Sequence, residues 1–249
     1  MKEGEKMRLI DIHSHILPEM DDGAKNLGES KKILKMLKEQ GIDLVVATPH
    51  FYPMDMSLED FIEKRESRLE LLKEDIKGQD MPEIFLGAEV YYFTGIGKSD
   101  LIKTLAVENT NYLLLEIPLE NVTDSLIRDI RDIRENLKLI PIIAHIERYV
   151  KVKRFKQLLK LVEEGVCLAQ INTSAVIKRS FKKTARKLLK SGYIAFLASD
   201  AHSSEHRPPH FDEAFLEIQT AMDSSVFQEL LSHLDTFSNE VLKEKTDEQ

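Results

Sequence analysis

Cysteine is nearly missing from this chain: Cys167 stands alone, so no intramolecular disulfide can form. No apolar stretch approaches the ~18 residues needed to span a bilayer. The charged opening MKEGEKMRLI is followed by no apolar segment of secretory type. The expectation is a cytoplasmic protein with no membrane insertion. Positive charge is also in deficit, and a net charge of -8 argues against nucleic acid as a non-specific partner. The basic runs KKILKMLK, KVKRFK and KRSFKKTARK therefore read as solvated helix faces. No linker rich in Pro, Gly or Ser and no low-complexity tract interrupts the chain, so residues 1–249 read as one domain, with 1–6 and about 243–249 expected to be flexible.

What is present is a regular alternation. With 42% hydrophobic and 31% charged residues the chain is globular, and its apolar runs are separated by segments with apolar residues at three- and four-residue spacing. Seven runs read as strands: 8–15, 44–50, 84–92, 112–118, 139–147, 166–174 and 193–202. Helices are expected at roughly 28–40, 57–77, 123–136, 151–164, 180–191 and 209–222, with another from about 224. In the first, Ile33, Leu34 and Leu37 share a face and Gly41 supplies a C-terminal cap. Strands this apolar must be covered on both faces, which leaves an open doubly wound sheet or a parallel barrel.

The polar residues decide between them. His13 and His15 are two apart, so on a strand they face one centre. Further along come His50, Glu89, Glu116, His145, and the pair Asp200 and His202, so six of the seven strands carry a ligand-type residue at or near the C-terminal end. In a barrel those ends converge; in an open sheet they would be strung along a ridge. Asp22, in the first loop, completes five histidines and four carboxylates. A single such histidine is more often a satisfied core group. A carboxylate inside FLGAEVYY or LLLEIP, however, is costly to bury without a cation or hydrogen-bonded partner. Asp21 is read as shaping the loop before Gly23.

Imidazole mixed with carboxylate suits Mn, Fe or Zn, and nine side chains exceed the needs of one ion, which implies two or three. Three divalent ions against four carboxylates leave a charge of plus two, suited to a phosphate dianion. A shared metal-bound water would then be the nucleophile. Arg148, three after His145, and Arg207, five after His202, are placed to clamp phosphate oxygens, the alternative being surface ion pairs with Glu147 and Glu205. Asn172, Thr173 and Ser174 end strand six on one presumed face, with Asn172 the candidate substrate contact, unless they only cap the next loop. His206 and His210 stay open. A cysteine phosphatase would need an arginine six residues after Cys167, where Thr173 stands, so that thiol reads as buried packing.

From DIHSHILPEMDDGAKNLGES through GIDLVVATPH, GAEVYY, LLLEIP, PIIAHIERY and QINTSAV to ASDAHSSEHRPPHFDEA, the chain resembles the polymerase and histidinol phosphatase (PHP) superfamily. Within it, the chain is most similar to the metal-dependent protein-tyrosine phosphatases of bacterial capsule and exopolysaccharide systems. The resemblance implies a distorted (β/α)7 barrel and a site with three ions, Mn2+ foremost and Fe, Zn or Mg the alternatives. It implies hydrolysis of phosphotyrosine, the partner being the tyrosine-rich tail of a kinase that regulates polysaccharide export. It places the metal ligands at the nine residues reached above and the catalytic arginines at Arg148 and Arg207. Phe51 departs from the pattern, following His50 where many relatives carry a second histidine. The rival readings are a small-molecule phosphatase such as a histidinol-phosphate phosphatase, an exonuclease, and a non-catalytic module that uses metal only to support an interface.

Overall fold

The computed structural model describes residues 7–243; the two ends expected to be flexible lie outside it, apart from residue 243. Its α/β fold is a curled sheet whose paired strands are all parallel. Strand segments are β1 (Leu9–Ser14), β2 (Ile42–Ala47), β3 (His50–Phe51), β4 (Glu83–Leu86), β5 (Glu89–Tyr91), β6 (Tyr112–Glu116), β7 (Ile140–Ile143), β8 (Leu168–Asn172) and β9 (Phe196–Ala198). Helices are α1 (Leu27–Glu39), α2 (Leu58–Asp75), α3 (Asp124–Glu135), α4 (Phe155–Glu163), α5 (Thr173–Ile177), α6 (Arg179–Lys190), α7 (Phe211–Ala221) and α8 (Ser224–Val241).

Each of the seven apolar runs yields a strand, but two of them break in half. The second run breaks at Thr48 and Pro49, because Pro49 has no N–H to continue a ladder. The Thr48 hydroxyl fills in, accepting from Ser14 N at 3.0 Å. The third breaks at Gly87, where a Cβ would stand 3.0 Å from Val46 Cγ1 and 3.2 Å from Thr48 Cγ2, a close approach to β2 that glycine makes easy. The breaks divide the ladders into the order β1-β2-β4 and the order β3-β5-β6-β7-β8-β9. Past the end of β9 the chain returns to β1: Asp200 N donates to His13 O at 2.9 Å, His15 N donates to Ala201 O at 2.9 Å, and Ser14 bridges Ala201.

Local chemistry sets the helix ends. Asn26 accepts from Glu29 N at the start of α1, and Gly41, at φ 84°, closes it in the left-handed conformation that glycine adopts freely. Ser57 and Thr123 cap α2 and α3 in the same way as Asn26. Two expected strand ends are corrected. The fifth run leaves the sheet at Ile143 and turns through His145 into a short 3-10 helix (Ile146–Tyr149), and Asn172 ends β8 while Thr173 already begins α5. The tail helix α8 lays Leu234, Phe237 and Val241 against an apolar cluster containing Ile10, Leu44, Tyr112 and Phe196. Its Phe237 ring stands 4.8 Å from Tyr112 and 5.2 Å from Phe196. Each such buried side chain contributes about 1.5–3 kcal/mol. No helix among the described residues is long and apolar enough to cross a membrane.

Candidate functional site

All nine proposed ligands, carried by strand ends and the loops that follow them, come together in one cluster. Side-chain donor atoms of His15, Asp22, His50 and His202 lie within 4.8 Å of one another, as do those of His13, His15 and Asp200, and those of His50, Glu89 and Glu116. His145 joins through Nε2, 2.9 Å from Glu89 Oε1 and 3.5 Å from Glu116 Oε1. Glu89 is the hub. Its Oε2 stands 3.0 Å from His50 Nδ1, 3.1 Å from His13 Nε2 and 3.3 Å from His15 Nε2.

Those spacings test whether divalent cations fit. Donors bound at about 2.1 Å to one ion lie roughly 3–3.5 Å apart, the separation found here. The buried atoms Glu89 Oε2, His50 Nδ1 and His202 Nε2 have no hydrogen-bond partner among the described residues despite these short approaches. Buried polar atoms are usually paired, and three orphans facing one centre are what ligands awaiting a cation would show. The imidazoles are oriented from behind. His15 Nδ1 meets Asp21 Oδ2 at 2.7 Å, His202 Nδ1 meets Asp200 O at 3.0 Å, and His13 Nδ1 meets Gln170 Oε1 at 3.2 Å. Each leaves Nε2 facing the cluster, as a ligating histidine requires. The residues present therefore fit bound divalent cations.

Burial and mutual charge perturb these groups. Burial alone would raise Glu89, but His13, and then His145 and His15, hold it well below the usual carboxylate range. Asp200 is lowered against the same burial penalty, chiefly by His13. His202 is pushed down to about 3 by burial, by the charge on His15 and by Arg207. Glu116 is pushed up to about 7 by burial and by Glu89. His145 and Asp200 also sit at positive φ, 33° and 52°. Such backbone costs about 1–3 kcal/mol per residue and tends to be kept where a side chain must be aimed.

Arg148 and Arg207 do not pair with Glu147 and Glu205, the partners expected for surface arginines. Both converge on one oxygen, Asp200 Oδ2, at 2.5 and 2.8 Å. Arg148 projects from the short helix after His145, and Arg207 from a loop tied to α1, where the Ser204 N–H and hydroxyl donate to Glu29 Oε1 at 2.6 and 2.8 Å. Together they line a cleft of about 340 Å³ with Asn172, Ser174, Lys178, half-exposed Phe181, His206 and His210. Asn172 is buried; its Nδ2 donates to Asp200 Oδ2 at 2.7 Å and its Oδ1 accepts from Gln170 Nε2 at 2.8 Å. Thr173 and Ser174 do not share its strand face, because α5 has already begun. A second cleft beside His50 and Asp22 is walled by Met20, Tyr52, Met56 and Phe61. Phe51 lies beneath it, buried, its ring 5.0 Å from that of Phe61.

Sequence reasoning missed the residues that work from behind. Asp21 shapes its loop through Gly23 N, as expected, but its other oxygen also holds His15 and accepts from His50 N at 2.9 Å. Asp11 accepts from Ser199 N at 2.9 Å and is pushed up to about 6 by burial. Gln170 carried the same signal as Glu89, a polar side chain inside an apolar run, and it is fully buried. Cys167 is buried as expected, its thiol pushed up to about 12 by burial.

A family model described as capsular polysaccharide synthesis, CpsB/CapC, matches residues 9–237. Tyrosine-protein phosphatase CpsB of Streptococcus agalactiae serotype III (strain NEM316) is 32% identical over 220 residues, covering 83% of this chain and 88% of that protein. Tyrosine-protein phosphatase YwqE of Bacillus subtilis (strain 168) is 32% identical over 227 residues, covering 88% and 87%. Crystal structures of YwqE from Bacillus subtilis and CpsB from Streptococcus pneumoniae, described as metal-dependent tyrosine phosphatases, match with a TM-score of 0.79 at 27% identity, over 93% of this chain and 95% of the solved one. Histidinol phosphate phosphatase from Lactococcus lactis, crystallised with zinc, L-histidinol and phosphate, matches at a TM-score of 0.55 and 13% identity over 90% and 94%. That last likeness is one of fold.

Proposed function

This chain belongs to the CpsB/CapC family of capsular polysaccharide synthesis, and we propose how its side chains carry out the reaction that membership brings. It is a metal-dependent protein-tyrosine phosphatase, a phosphoric monoester hydrolase acting on phosphotyrosine. One observation carries the residue assignment: nine ligand-type side chains and two arginines converge at one mouth, with both guanidinium groups on a carboxylate of the cluster. His13, His15, Asp22, His50, Glu89, Glu116, His145, Asp200 and His202 hold three ions, for which we take Mn2+ first. The reading is supported by three overlapping donor sets and by a charge sum that leaves plus two for a phosphate dianion. We read the curled sheet as a distorted seven-stranded barrel forming a single domain with the ions at its C-terminal mouth.

When bound, the cations supply Lewis acidity and bring water within reach of ionisation at neutral pH. The protein's own groups do the rest. Arg148 and Arg207 exchange Asp200 Oδ2 for the non-bridging phosphate oxygens, which a planar guanidinium grips bidentately. Their donors stabilise the charge that grows there as the bond from phosphorus to the phenolic oxygen breaks. Asn172 has one amide hydrogen beyond the one given to Asp200, and we assign it to the same phosphate. Phe181, half-exposed on the cleft wall, takes the phenyl ring.

For the substrate we name the tyrosine-rich tail of a kinase controlling polysaccharide export, met in the cytoplasm, where a lone buried thiol stays reduced. The test is phosphate release from a phosphotyrosyl peptide by metal-stripped protein, with and without added Mn2+, with histidinol phosphate alongside. Release from the peptide restored by Mn2+, with little from the small molecule, is expected. Preference for histidinol phosphate, or no turnover with any divalent ion, would refute the reading.

A further inference from the structure

Gln170 lies fully buried in β8, and its amide can be oriented without ambiguity. Its Oε1 accepts from the backbone N–H of His145 at 2.7 Å. A backbone N–H can only donate, so that atom must be the oxygen and the other end the NH2 group. The NH2 end donates to Asn172 Oδ1 at 2.8 Å, which fixes Asn172 in turn, and Asn172 Nδ2 donates to Asp200 Oδ2 at 2.7 Å. The polarity is consistent at the far end, because an ionised carboxylate only accepts. One contact remains, His13 Nδ1 at 3.2 Å from the same Gln170 oxygen. An amide oxygen has no hydrogen to give, so Nδ1 carries one.

We infer that Gln170 is the positioning residue of the metal cluster: it holds His13 in the Nδ1–H tautomer, with Nε2 free to ligate, and through Asn172 it holds Asp200. The inference rests on reading His13 and Asp200 as metal ligands. A neutral amide suits the place. Glutamate would accept from His13 and His145 equally well, but would turn a hydrogen-free oxygen toward Asn172 Oδ1 and add a fifth carboxylate to a cluster that already holds four.

The direct test uses unaltered, metal-free protein at alkaline pH, where the ring is neutral, with long-range 15N–1H correlation spectra of the histidines and His13 assigned by comparison with His13→Gln. A protonated Nδ1 and a bare Nε2 are expected; the opposite tautomer overturns the inference. The second test is Mn2+ affinity by competition with a chelator. Gln170→Met should lose about 10–100-fold, the usual effect of removing a group that orients a ligand, and its His13 should populate both tautomers. Gln170→Glu keeps the acceptor for His13 but loses the donor to Asn172, so it should keep the tautomer and lose less affinity than Gln170→Met. Equal losses in the two variants, or none in Gln170→Met, would show that packing rather than the acceptor matters. If Gln170→Met does not fold, the spectrum of the unaltered protein decides alone. Failure of the unaltered protein to bind any divalent ion would sink the functional reading, and the tautomer would still judge this one.

Discussion

Gly23 offers the sharpest single perturbation. A Cβ added there would stand 2.3 Å from His15 O, 2.4 Å from His15 Cβ and 2.9 Å from Asp21 Oδ1, and the first two belong to the residue just past β1, whose N–H is tied to Ala201 O. Ordinary contact begins near 3.4 Å, so in Gly23→Ala the loop must retreat by about 1 Å. Four hydrogen bonds depend on that approach: Ala24 N to His15 O at 3.0 Å, Gly23 N to Asp21 Oδ1 at 2.9 Å, and those of His15 Nδ1 and His50 N to Asp21 Oδ2 at 2.7 and 2.9 Å. A retreat of about 1 Å carries the three that cross from the loop to His15 and His50 past the limit of a useful bond, while the one between Gly23 and Asp21 can move with the loop. Each buried group left unpaired costs about 1–3 kcal/mol, and freeing His15 from its carboxylate should weaken metal binding by about 10–100-fold. Gly97→Ala is the control. Its Cβ would meet Asp132 Cβ at 2.5 Å and Asp129 O at 2.7 Å, on α3, away from the ligands. Denaturant unfolding of metal-free protein should show both variants destabilised, and chelator competition should show only Gly23→Ala deficient in metal. Parent-like metal affinity in Gly23→Ala, or an equal loss in Gly97→Ala, would refute the reasoning.

Arg207→Ala should cut turnover of a phosphotyrosyl peptide by about 10²–10³-fold, the scale of removing one transition-state donor, with metal content unchanged; retained turnover would exclude Arg207 from phosphate binding. Phe181→Ala should raise KM for the same peptide by roughly 3–10-fold, the worth of one aromatic pair, and leave inhibition by inorganic phosphate alone. A change in both would mean that Phe181 supports the arginines instead. Cys167, with its thiol pushed up to about 12 by burial, should react with a thiol reagent only as fast as the protein unfolds. Prompt labelling under native conditions would contradict its burial.

The clustering of the nine candidate ligands was legible because most of them interrupt apolar strands, where an unsatisfied carboxylate such as Glu89 is too costly to be incidental. α1 was legible from Ile33, Leu34, Leu37 and Gly41 because local spacing and capping decide it. The breaks at Pro49 and Gly87 were not, since each depends on which strand lies alongside. Nor was the left-handed turn at His145, whose N–H is held by Gln170 on β8, or at Asp200, held by the closure of the chain after β9 on β1. The arginines stood out by proximity to the candidate ligands, with surface ion pairs as the alternative, but their contact with Asp200 was not legible. Sequence neighbours Glu147 and Glu205 were the local choice, while Asp200 is reached only across the fold. Gln170 and Asp21 escaped for the same reason, each being defined by contacts 25 to 157 residues away (Gln170) or 6 to 29 away (Asp21).

Stability should respond to pH in opposite senses with and without metal. In the metal-free protein His13 and His15 are raised above the ordinary imidazole value: burial opposes their charge, but Glu89 and Asp200 outweigh it at His13, and Asp21 and Glu89 do so at His15. A raised histidine contributes stability that is fully present below its unfolded pKa and is lost as pH climbs through the folded one. The lowered carboxylates Asp21, Glu89 and Asp200 exert their effect in acid, below the ordinary carboxylate value, and His202 below the ordinary imidazole value. Glu116 and Glu147, each raised to about 7 with burial the largest cause, have completed most of their loss by then. From about pH 7 to about pH 9 the two raised histidines decide the sign, and the denaturation midpoint of metal-free protein should fall. With Mn2+ present the same protons compete with the cation for Nε2, so raising pH strengthens binding, and the midpoint should rise or hold. A metal-free midpoint that rises across this interval would mean that His13 and His15 are not charged in the empty cluster.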